Sequence, residues 1–82
     1  DQNNSLEISI QPNPTTARFV NVKGIEKQNL VMINLLDING KLVRKFDSNN
    51  TELDLTGLNS GYYILQLSVE DKGMYYKKIC LQ

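Results

Sequence analysis

At 82 residues, with nine Lys and Arg balanced by nine Asp and Glu, the chain fits one small domain of ordinary globular composition and is too short for two. That balance gives no general attraction to nucleic acid or to a membrane surface. The absence of histidine removes Ser-His and Cys-His nucleophile pairs, and a single cysteine, Cys80, excludes an internal disulfide. No apolar run exceeds Leu30 to Ile33, far short of the ~20 residues of a membrane-spanning helix. A signal peptide, if the parent protein is exported, lies upstream of Asp1.

Asp1 to Ser5 contains nothing apolar and reads as the end of an interdomain linker, with the domain proper over residues 6–82. Leu6, Ile8 and Ile10 then alternate with Glu7 and Ser9, the period of a half-buried strand. Pro12-Asn13-Pro14 fixes two φ angles and removes two backbone donors, which makes a rigid corner. Ala17 to Val22 forms a second strand ended by Gly24. Leu30 to Ile38 is predicted as a central strand, with Val31, Ile33 and Leu35 on one face and Met32 and Asn34 on the other.

Asn39-Gly40 is the favoured pair for a two-residue type I′ hairpin and joins that strand to Lys41–Phe46. A polar turn at Asp47–Asn50 precedes a short strand, Thr51–Leu55, and Gly57–Gly61 forms a loop. Gly61 to Val69 places Tyr63, Leu65, Leu67 and Val69 on one face. A turn at Glu70–Gly73 leads to the closing strand, Met74–Leu81. About seven short strands, without 3.6-residue periodicity, specify an all-β fold: an antiparallel β-sandwich of immunoglobulin-like architecture. The Cys…Trp…Cys framework of antibody domains is missing, since the chain has no Trp.

Tests for chemistry return structural readings. Lys78 shares a strand face with Cys80, yet a cysteine two residues from the end of a closing strand is first of all a small, partly buried apolar residue. Asp37-Ile38-Asn39-Gly40 begins like a calcium loop, but the glycine stands fourth rather than sixth and the twelfth position is Ser48, so Asp37 is assigned to bracing the turn. Gly57 and Gly61 do not lead into a helix and make no phosphate loop. Of the neighbouring pairs Tyr62-Tyr63 and Tyr75-Tyr76, alternation sends one member of each inward, which leaves two tyrosines for any stacking platform. Lys77 and Lys78 likewise divide between the two faces. No catalytic residue, cofactor or metal site is expected, and no nucleic acid partner.

The order of these features resembles the type A C-terminal sorting domains of the type IX secretion system of Bacteroidetes. The matching segments are Pro12-Asn13-Pro14, Asp37-x-x-Gly40-Lys41-x-Val43, Leu58-x-x-Gly61-x-Tyr63-x-Leu65 and Lys77-Lys78-Ile79. Cys80 and Gln82 depart from the small aliphatic and basic residues common at those places. The resemblance implies a seven-stranded sandwich at the C-terminus of a secreted protein, covalently attached to an upstream cargo domain. It also implies recognition by outer-membrane translocon components, passage from periplasm to cell surface or medium, and removal in the linker by a surface sortase that often anchors the cargo. Carried over by motif, translocon recognition falls to Gly61, Tyr63, Lys77, Lys78, Ile79 and Gln82, while Pro12, Asn13, Pro14, Asp37 and Gly40 are structural. A homodimer of the isolated domain is left open. The competing readings are an accessory β-sandwich binding module, for example for carbohydrate, and a structural spacer of a secreted enzyme.

Overall fold

The computed structural model describes residues 8–12, 16, 18–24 and 30–82 of the chain. The expected linker at residues 1–5, the start of the first strand at Leu6, and the positions of Asn13, Pro14 and Ala17 lie outside them. Seven strands follow in order: β1 (Ser9–Gln11), β2 (Phe19–Lys23), β3 (Leu30–Leu36), β4 (Leu42–Phe46), β5 (Glu52–Asp54), β6 (Gly61–Val69) and β7 (Gly73–Leu81). No helix occurs among the described residues.

All pairings are antiparallel, in one sheet of order β1-β2-β5 and a second of order β4-β3-β6-β7. Each strand has one apolar face, and burying both apolar faces requires the two sheets to pack against each other. The result is the expected immunoglobulin-like sandwich. Its core is aliphatic: Val20, Ile33, Leu35, Leu53, Leu65, Leu67 and Ile79 have no exposed surface. Val43, Phe46, Leu58, Tyr63 and Tyr75 close its rim.

Local geometry departs from the sequence expectation in two places. The β3–β6 register shifts between Leu30 and Met32, so Leu30 joins the core and Val31 stands 58% exposed instead of lining the inner face with Ile33 and Leu35. A bulge reverses the alternation on one side of itself, and the sequence pattern carries no mark of it.

The β3–β4 connection is a hairpin, but not of type I′, because Gly40 has a φ of 86° while Asn39 is not in the positive region. The Gly40 N–H donates to the Asp37 carbonyl, and the Asp37 N–H donates to the carbonyl of Lys41. This is a type I turn followed by a left-handed glycine, the usual three-residue hairpin. The Asp37 carboxylate accepts from the N–H groups of Asn39 and Lys41, each at 2.9 Å. Asp37 is thus the turn brace expected of it, and its acceptor is what selects this turn over the two-residue alternative.

Candidate recognition surface

The β6–β7 pair carries five of the six residues assigned to recognition by motif, and Gln82 follows directly on β7. β7 ends the four-stranded order, paired to β6 from Gly61↔Leu81 to Val69↔Gly73, and no other described strand pairs with it. Strand alternation divides the six among different environments.

Ile79 is fully buried and faces Tyr63 across the pair. Tyr63 packs against the core, and its hydroxyl donates to the Asn59 carbonyl at 2.6 Å. A tyrosine near the start of this strand that bonds back to the backbone a few residues upstream is the tyrosine corner of immunoglobulin-like sandwiches. Gly61 opens β6 with a φ of 144°, and a Cβ there would meet nothing within 4 Å, so the restraint on this position is torsional.

Lys77 lies opposite Leu65 on the inward side and is half-buried, an inward-directed charge of the kind that keeps edge strands from pairing indiscriminately. Lys78 lies on the outer side opposite Ile64, with its Nζ 5.0 Å from the centroid of the Tyr62 ring. Gln82 follows the end of β7 and is exposed. The six residues therefore share one end of a strand pair but not one surface: Tyr63 and Ile79 build the fold, and Lys78 and Gln82 face solvent. Of the motif residues assigned to structure, Pro12 follows β1 and is exposed, and Asp37 and Gly40 form the hairpin. Cys80 is half-buried on the outer face, opposite Tyr62.

The outer face of the four-stranded sheet holds a polar row that sequence reading missed. Register places Lys45, Asn34, Gln66 and Tyr76 side by side on β4, β3, β6 and β7. The Asn34 Nδ2 donates to the Gln66 Oε1 at 3.0 Å, and the Gln66 Nε2 donates to the Tyr76 hydroxyl at 3.4 Å. Asn34 is only 9% exposed, and its Oδ1 has no hydrogen-bond partner among the described residues. A buried acceptor left unpaired costs about 1–3 kcal/mol. As alternation requires, Tyr62 and Tyr76 face outward, 58% and 57% exposed, while Tyr63 and Tyr75 pack inward.

Two arginines also escaped the sequence reading. Arg18, held at a φ of 64°, donates from Nη1 to the Leu58 carbonyl at 2.7 Å, and Arg44 donates from Nη1 to the Asp54 carbonyl at 2.9 Å. Arg44 thereby ties β4 in one sheet to β5 in the other. No local signal marks these contacts, because the Arg18 bond spans 40 residues and the Arg44 bond 10. Asp54 accepts from both the hydroxyl and the N–H of Thr56, which holds its carboxyl below its ordinary pKa. Arg18, Phe19, Asn50, Glu52, Asp54 and Thr56 line an open groove on the three-stranded side. Among the described residues no three His, Cys, Asp or Glu side chains come together as a metal site would need.

The family model described as a secretion system C-terminal sorting domain matches residues 9–82, a span that contains every strand of the sandwich. No curated protein matches the chain. The chain belongs to the family of secretion system C-terminal sorting domains.

Proposed function

We propose that this domain is the address label that carries an upstream cargo through the type IX secretion system of a member of the Bacteroidetes. The family match over residues 9–82 carries the reading. On it, translocon components recognise the folded domain in the periplasm and pass the cargo across the outer membrane. A surface sortase then cuts in the linker ahead of the sandwich, near residues 1–5, and leaves the cargo anchored or released.

The physical support lies in β7. The nine-residue β7 ends the four-stranded order, and its side chains alternate between the core and solvent. Alternate side chains of a strand are what a partner's pockets read in strand-based recognition. Lys77 and the residues after it close the strand, so recognition and the completion of the core draw on the same segment.

The test is a fluorescent reporter fused upstream of Asp1 in a bacterium carrying the secretion system, with surface and periplasmic fractions measured. The full fusion is expected at the surface, and a fusion lacking Lys77 to Gln82 is expected to stop in the periplasm. Equal surface delivery of the truncated fusion would overturn the reading.

A further inference from the structure

The outer face of the four-stranded sheet is less polar than a solvated sheet face requires. Leu42, Tyr62, Met74 and Tyr76 lie on it, each between 44 and 58% exposed. Tyrosine and methionine are side chains that interfaces favour, whereas acidic residues are depleted there. Strands β3, β4, β6 and β7 contain no Asp or Glu; of their four basic residues, Lys45 and Lys78 face outward, while Arg44 and Lys77 face the other sheet. The charged side chains that these strands turn outward are therefore both positive. At the centre of the face sits the nine-tenths buried Asn34, whose amide donates to Gln66.

We propose that this face docks an acidic protein surface, one that sets carboxylates around an apolar centre. Resting on the sorting reading above, that surface belongs to the receptor of the export machinery. Lys45 supplies the charge that the partner's carboxylates meet, and Tyr76 and Met74 supply the apolar contact. Two other occupants fit less well. A second copy, face to face, would bring like charges together at Lys45 and Lys78. A glycan needs open aromatic faces, and the Tyr62 ring already has the Lys78 ammonium over it at 5.0 Å.

The experiment uses the same reporter fusion with Lys45→Arg, Lys45→Gln, Lys45→Glu and Tyr76→Ala, and with Lys23→Glu on the opposite sheet as control. Surface delivery is expected to fall in the order Arg, Gln, Glu at position 45. Lys45→Glu and Tyr76→Ala should each lose about tenfold, the change that 1.4 kcal/mol of binding produces. Lys23→Glu should deliver as the unaltered chain does. Thermal melts of the purified 82-residue variants are expected within about 3 °C of the parent, since both side chains are exposed.

Delivery of Lys45→Glu and Tyr76→Ala at the parent level, while the parent fusion reaches the surface, overturns this docking face and leaves the sorting reading standing. A parent fusion that never reaches the surface overturns both. Lys45-dependent sedimentation of the purified chain with phosphatidylglycerol vesicles would assign the face to a lipid surface instead. Dimerisation abolished by Tyr76→Ala would assign it to a second copy. Either result overturns the acidic protein partner.

Discussion

Tyr63 matches a family motif, yet its surroundings are those of a fold-determining residue: the ring packs on the core and the hydroxyl donates to Asn59 at 2.6 Å. Motif matching alone does not separate these roles, because a residue that shapes the domain recurs in a family as readily as one that touches the receptor. Tyr63→Phe separates them. The substitution keeps the ring and removes only the hydroxyl, so stability is expected to fall by about 0.5–1.5 kcal/mol, the net worth of such a bond. For a domain of this size that lowers the melting temperature by very roughly 2–12 °C. Surface delivery of the reporter should fall no further than the loss of folded protein predicts. A delivery defect with an unchanged melt would place the hydroxyl in the receptor contact instead.

β7 combines two demands in one strand. Its inward positions, Tyr75, Ile79 and Leu81, complete the core, and its outward positions, Met74, Tyr76, Lys78 and Cys80, meet solvent. Truncation at Lys77 therefore removes Ile79 and Leu81, whose burial is worth about 1.5–3 kcal/mol each, and unfolding can imitate lost recognition. Replacing Lys77 and Lys78 together by Gln keeps the strand and its apolar face. Little change in the melting temperature is expected, together with reduced surface delivery. Full delivery of the double variant would show that the basic pair serves only to keep the edge from aggregating.

The strand pattern itself was legible because side-chain alternation is local: β6 runs from Gly61 to Val69, as its period indicates. Val31 was misplaced because the bulge beside it depends on pairing with β6. The turn type at Asn39-Gly40 was misread because the Asp37 carboxylate, two and four residues away from its donors, outweighs the intrinsic preference of the pair. Still less visible was the row Lys45, Asn34, Gln66 and Tyr76. It exists only once four strands have found their register, and no window of the sequence contains it.

On the scale of the whole molecule, the sandwich has no disulfide and, among its described residues, no metal cluster, so packing must hold it together. A domain of this length has a net stability of only about 4–12 kcal/mol at the usual 0.05–0.15 kcal/mol per residue. Its fully buried positions come from both sheets, with Val20 and Leu53 on one side and Ile33, Leu35, Leu65, Leu67 and Ile79 on the other. Leu65 stands on a central strand, between Leu35 on β3 and Lys77 on β7. A close-packed core relaxes only partly around a void left at such a position. Leu65→Ala is accordingly expected to cost about 2–5 kcal/mol, a large share of the total. The melting temperature, followed by far-UV circular dichroism, should drop by at least about 10 °C. The outer face is untouched by this change, which makes it the complement of Lys45→Glu: one variant loses the fold and keeps the surface, the other keeps the fold and loses the surface charge. Export of the Leu65→Ala fusion at permissive low temperature, with loss on warming through its own melt, is the expected signature of a signal read in its folded form. Undiminished export above that melt would mean that the machinery reads an extended segment, and the assembled sandwich would then not be what is recognised.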